Sequence, residues 1–166
     1  MRASIFVVRG GMFGWDGLAT SPGMDILAGA LAKEPNTTVS TWNWSSEPAL
    51  TRAINVVPPL NKVILIGYSG GGWKAGVAAL KARNGVHLLI GMDPSPYWDV
   101  NPLWFPSSVS KVICYWNGSP NFGSLGGGVY HGEHVSLRRI DMHHMRVQFN
   151  IALRAHVVQD VRLSLM

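Results

Sequence analysis

The stretch Lys62 to Ala79, KVILIGYSGGGWKAGVAA, constrains the fold more tightly than any other part of the chain. Val63, Ile64, Leu65 and Ile66 are consecutive apolar residues, the pattern of a parallel strand buried on both faces. Gly67-Tyr68-Ser69-Gly70-Gly71 ends the run, and from Trp73 to Arg83 Ala, Val and Leu recur at helical spacing. The stretch therefore predicts a strand, a sharp turn and a helix. In so tight a turn a side chain at either end would strike the neighbouring strand or helix, which accounts for the glycines, while the middle residue is held in a strained conformation. Such strain lifts the Ser69 hydroxyl into the space above the strand ends. The N–H of Gly70, at the helix start, faces the same space, so a nucleophile and one oxyanion donor are supplied together.

Glycine-rich turns after strands also hold phosphates. A P-loop needs Lys directly after its last Gly and then Ser or Thr, whereas Trp73 precedes Lys74 here. For a dinucleotide fingerprint Gly67, Gly70 and Gly72 have the wrong spacing, although Gly70, Gly72 and Ala75 fit its looser form and keep that rival in play. The pattern G-x-S-x-G, set between a buried strand and a helix, resembles the nucleophile elbow of the α/β-hydrolase superfamily.

At 166 residues the chain has the length of one domain, read as spanning 1–166. Hydrophobic residues make up 47% and charged residues 14%, which excludes a disordered chain. The formal net charge is +5, but the basic residues form no run and do not interleave with aromatics, so no nucleic-acid module is expected. The charge is read as a bias toward negatively charged surfaces such as cell envelopes. Seven Trp are many for this length, and some are expected to line a groove. The single cysteine, Cys114, lies in the apolar run Val112 to Trp116 and is expected in a buried strand, without a disulfide inside the chain. Ile5 to Val8, closed by Arg9, is too short for a signal peptide core, and no stretch approaches a membrane span. The default expectation is a cytoplasmic protein, with export by another route left open.

In chain order, strands are expected over Ser4 to Val8, Thr37 to Trp44, Lys62 to Ile66, Val86 to Met92 and Lys111 to Trp116, with a short edge strand over His134 to Ile140. Helices alternate with them: Ser21 to about Lys33 with Pro22 in its first turn, Ser46 to Val57, Trp73 to Arg83, and Met145 to Leu165. Asn117 to Gly132 is glycine-rich and aperiodic and reads as a loop. The fold class expected is α/β, a three-layer, doubly wound, mostly parallel sheet of about five or six strands with helices on both faces. Ligands of such sheets bind beyond the carboxyl ends of the strands. Gly11, Ser69, Asp93 and the segment after the last strand would all gather there.

A serine hydroxyl needs an imidazole to take its proton and a carboxylate to orient that imidazole. The resemblance implies the order Ser, acid, His, with the base in the loop between the last strand and the last helix. That leaves His143 and His144, of which His144, next to the helix, is preferred. Asp93, at the end of the strand after the elbow helix, is the expected acid. Most superfamily members place it after the following strand, where this chain has Asn117-Gly118-Ser119, while some lipases place it where Asp93 stands. Asp141 is an alternative, with Asp99 and Glu133 in reserve. The second oxyanion N–H is assigned by the resemblance to Gly11 or Met12. Phe13, Trp15, Tyr68, Tyr97, Trp98 and Trp104 are candidate substrate walls. His131, His134, His143 and His144 lack the spacing of a zinc site, and neither metal nor cofactor is expected.

The chain thus reads as a minimal, lidless, cutinase-like or thioesterase-like serine hydrolase acting on small-molecule or polymeric esters through an acyl-enzyme on Ser69. The rivals are a binding module that keeps the scaffold without turnover, and a phage-type cell-envelope esterase. The acyl group, the leaving group and the oligomeric state are not legible.

Overall fold

The apolar runs lie side by side as a parallel sheet. The computed structural model describes residues 2–11, 21–96, 102–117 and 128–166. Along the chain these form β1 (Ala3–Arg9), α1 (Pro22–Leu31), β2 (Thr37–Asn43), a 3-10 turn (Trp44–Ser46), α2 (Glu47–Asn55), β3 (Lys62–Tyr68), α3 (Gly70–Leu80), β4 (Leu88–Met92), β5 (Leu103–Trp104), β6 (Val112–Asn117), β7 (Tyr130–His131), β8 (Val135–Ile140), a 3-10 segment (His144–Phe149) and α4 (Ile151–Leu165). The main sheet has six strands in the order β2-β1-β3-β4-β6-β8. Every neighbouring pair in it is parallel, so all six strands end at one edge. This is the α/β architecture expected from the sequence.

The unbroken apolar run of β3 serves two cores at once. Successive side chains of a strand point to opposite faces, so Ile64, Ile66 and Tyr68 join one cluster with Met24, Leu27 and Leu31 of α1 and Val157 and Val161 of α4. Val63 and Leu65 join the other, with Leu50 and Ile54 of α2 and Ala75, Ala78 and Ala79 of α3. Ile64, Leu65 and Ile66 are each fully buried, and each such side chain contributes about 1.5–3 kcal/mol. The two layers of helices fix β3 at the centre, with its carboxyl end opening at the sheet edge.

Three elements differ from the sequence reading. The last helix is not continuous: Asn150 is extended, at φ −69° and ψ 114°, and its side chain accepts the Leu153 N–H, so α4 starts afresh at Ile151 behind a 3-10 segment. The strand expected from Val86 begins at Leu88, with Val86 reduced to an isolated bridge to Val109. Tyr130 and His131 form a short parallel pair with Leu103 and Trp104 in a region read as loop, because two residues carry no period.

His87 is locked to β3 from both sides, its N–H donating to the Val63 carbonyl at 2.9 Å and its Nδ1 accepting the Val63 N–H at 3.2 Å. Burial first, and the Lys62 ammonium second, hold its pKa below the ordinary 6.5. A base with a depressed folded-state pKa contributes stability that is complete above its unfolded value and lost as pH falls through the folded one. Wild-type protein should therefore lose more melting temperature between about pH 7 and about pH 5 than His87→Gln, which keeps an acceptor without titrating. Equal losses in the two thermal scans would remove His87 as a source of acid sensitivity.

Candidate active site

Between the end of β3 at Tyr68 and the start of α3 at Gly70, Ser69 makes the whole turn alone, at φ 56° and ψ −131°. A non-glycine residue there is strained, and the surroundings hold it in place. The Ser69 N–H donates to the Met92 carbonyl at 3.1 Å, while the Ser69 carbonyl accepts from Gly72, Trp73 and Ser95. Glycine is required on both sides, since a Cβ on Gly67 would stand 2.4 Å from the Gly71 carbonyl oxygen, and one on Gly71 would stand 2.3 Å from that of Arg9. Gly70 is the first residue of α3, so its N–H has no acceptor within the helix.

Asp93 follows the end of β4 and also lies at positive φ, 48°. Its side chain is fully buried, and its Oδ1 accepts the Asn117 N–H at 3.1 Å from the end of β6. Its Oδ2 is 2.6 Å from His144 Nδ1, and His144 Nε2 is 2.9 Å from Ser69 Oγ. An ionised carboxylate only accepts, so the Nδ1 facing it carries the proton and a neutral ring presents Nε2 as acceptor to the serine hydroxyl. An imidazole placed in this way is the arrangement that activates a serine oxygen.

The His144 turn is pinned through its backbone. The Tyr68 hydroxyl donates to the His144 carbonyl at 3.0 Å, and the Tyr68 ring stacks on the imidazole at 5.2 Å between centroids. The Asn117 side-chain amide donates to the Met142 carbonyl at 2.5 Å. Adjacent histidines part here: His144 is buried against Ser69, whereas His143 Nδ1 accepts the Met145 N–H at the head of the 3-10 segment. Asp141 is exposed, and the carboxylate on His144 is that of Asp93.

Gly10, at the end of β1, presses on this centre, since a Cβ there would meet the Tyr68 ring at 2.8 Å and Ser69 Cβ at 3.0 Å. Gly11 follows it, with the Trp44 indole where its own Cβ would be. Met12, Phe13, Trp15, Tyr97, Trp98 and Asp99 lie outside the described residues. Two expected wall residues are placed elsewhere. Tyr68 is 3% exposed and packs behind the imidazole, and Trp104 is exposed on β5, stacked on His131. Glu133 and His134 are exposed in the turn before β8. Among the described residues no group of three His, Cys, Asp or Glu side chains is placed to hold a metal ion.

The two pinning residues, Tyr68 and Asn117, escape sequence reading. Tyr68 is the variable position of the motif, and Asn117 draws notice only as a missing carboxylate.

Neither a family model nor a curated protein matches the sequence. Solved structures do match. A protein described as a hydrolase of the alpha/beta superfamily, from Xanthomonas campestris pv. campestris, superposes with a TM-score of 0.64 at 16% identity, over 96% of this chain and 99% of that one. A serine hydrolase without a lid from Xanthomonas campestris gives 0.63 at 16% identity, over 96% and 81%. A cutinase-like protein from Cryptococcus sp. gives 0.57 at 18% identity, over 99% and 95%. Thioesterases are among the other neighbours. At these identities the likeness establishes the fold: the chain has the α/β-hydrolase fold.

Removing the Tyr68 hydroxyl should loosen the His144 turn. Tyr68→Phe, which keeps the stacked ring, is expected to lower the unfolding free energy by about 1 kcal/mol. Tyr68→Ala should lower it by about 3–5 kcal/mol. Urea denaturation measures both, and a neutral Tyr68→Phe would show that the hydroxyl bond contributes nothing to holding the turn.

Proposed function

We propose that the protein is a serine hydrolase of carboxylic esters or thioesters. The observation that carries this reading is the unbroken hydrogen-bonded line from Ser69 Oγ through His144 to Asp93, assembled on a strained turn at the carboxyl edge of the sheet. The resemblance of fold to a lidless serine hydrolase and to a cutinase-like protein supports it.

Ser69 Oγ attacks the acyl carbon as its proton passes to His144 Nε2. The tetrahedral oxyanion is held by the Gly70 N–H together with that of Gly11 or Met12. Collapse expels the alcohol or thiol, which leaves with the proton from His144 and leaves the acyl group on Ser69. Water then gives a proton to the same nitrogen and attacks the acyl-enzyme, and the carboxylic acid departs as Ser69 is regenerated. Asp93 stabilises the imidazolium and fixes its tautomer. Phe13, Trp15, Tyr97 and Trp98 are the candidate walls for an apolar acyl or aromatic group. No step calls on a metal or a cofactor. Among the described residues no helix is long and apolar enough to cross a membrane.

A fluorophosphonate probe should label wild-type protein on the Ser69 peptide, and Ser69→Ala should abolish both labelling and turnover of p-nitrophenyl acetate. Labelling that persists in Ser69→Ala removes Ser69 as nucleophile, and folded wild type that stays unlabelled favours a scaffold without turnover. Asp93→Asn, which leaves the ring in the wrong tautomer, should lower kcat by about a thousandfold or more. Retained kcat would hand the orienting role to another group.

A further inference from the structure

Four large apolar side chains stand exposed on three consecutive or contacting elements, α1, the 3-10 segment and α4. Ile26 on α1 is 56% exposed, Met145 and Phe149 on the 3-10 segment are 39% and 49%, and Ile151 at the start of α4 is 77%. The elements that carry them are in contact. Gly23 of α1 packs so tightly on the 3-10 segment that a Cβ would stand 2.1 Å from the Gln148 carbonyl oxygen. Ile26 and Ile151 line one shallow groove of about 270 Å³ with Ala30, Ala155 and Val158. Met145 follows His144 directly in the chain.

The arginines on these elements, or bonded to them, divide into two sets. Arg9, Arg138 and Arg162 are neutralised by Asp25, Asp160 and Glu34. Arg146 and Arg154 sit within the apolar stretch and have no carboxylate partner among the described residues; Arg154 donates to the Gln148 carbonyl. Over residues 139–154 three guanidinium groups, Arg139, Arg146 and Arg154, face one carboxylate, Asp141.

We infer that this face of α1, the 3-10 segment and α4 docks on lipid bilayers rich in anionic headgroups, with Phe149, Ile151 and Met145 entering the headgroup–acyl boundary and Arg146 and Arg154 on the phosphates. A bilayer offers hydrocarbon and phosphate at adjacent depths without needing a shaped counterpart. A protein partner needs about 800 Å² of complementary relief per side, which a groove this shallow does not supply. A second copy docked on the same face would bring the unpaired guanidinium groups of both chains together. The formal net charge of +5 adds long-range attraction to the same surface.

Cosedimentation with vesicles reads this directly. Wild-type protein should bind vesicles of phosphatidylcholine with phosphatidylglycerol, and bind pure phosphatidylcholine about tenfold more weakly. The double variant Phe149→Ser/Ile151→Ser should lose about tenfold or more in partition. Arg146→Gln/Arg154→Gln should lose the preference for the anionic vesicles and the salt sensitivity that goes with it. Phe149, Ile151 and Arg146 are exposed and Arg154 is half-buried, so the melting curves of both variants should stay close to wild type. Wild type that ignores the anionic vesicles, or variants that bind them as wild type does, overturns the inference. So does a wild-type dimer in sedimentation equilibrium that the Phe149/Ile151 variant dissolves, which would assign the face to a second copy. Binding is measured without substrate, so its failure leaves the hydrolytic reading standing, and loss of probe labelling leaves the docking surface standing.

Discussion

The structure depends on one awkward backbone conformation, the positive φ of Ser69, held between two glycines that cannot bear a side chain. Left-handed backbone in a residue with a Cβ costs of order 1–2 kcal/mol, and the fold supplies that energy locally. The Ser69 carbonyl takes three N–H donors and its own N–H is anchored on β4. Because β4, α3 and the segment after Asp93 all bond to this single residue, the strain is shared by the centre of the sheet and is not left to a loop. The direction of the serine side chain is thereby set by the same contacts that order the core.

The same logic is repeated one strand away. Asp93 is the second non-glycine residue of the sheet edge at positive φ, and its buried carboxylate is divided between His144 and the backbone of Asn117. Asn117 occupies the place where most relatives of this fold were expected to carry the acid. It is not idle there: its N–H steadies Asp93 and its amide holds the turn that brings in His144. An uncharged residue at that position supports the carboxylate from the neighbouring strand without adding a second buried negative charge.

Much of this was legible in the sequence for a physical reason. A run such as Val63 to Ile66 has few places to go other than the middle of a parallel sheet, and Gly67 and Gly71 after it answer to a steric demand, since a Cβ on either would stand within 2.5 Å of a backbone oxygen. The preference for His144 over His143 rested on adjacency to an apolar helix, and the structure puts its ring, not that of His143, beside Ser69. What stayed hidden was what depends on tertiary contact alone. The hydroxyl of Tyr68 finds a carbonyl 76 residues away, the break at Asn150 interrupts a pattern that remains periodic across it, and the pairing of Tyr130 and His131 with β5 is too short to show any period. Tyr68, a candidate substrate wall by sequence, has its ring stacked on the imidazole, a contact that the motif does not encode.

The outermost position of β2 has a further consequence. Among the described residues Thr37–Asn43 is paired on one side only, along β1, and the segment TTVSTWN contains no proline and no formal charge. Natural edge strands usually carry Lys, proline or a bulge to stop another chain from adding to the ladder. Among the described residues this margin carries none of the three, which leaves it without the common guards against strand-to-strand growth from a second chain.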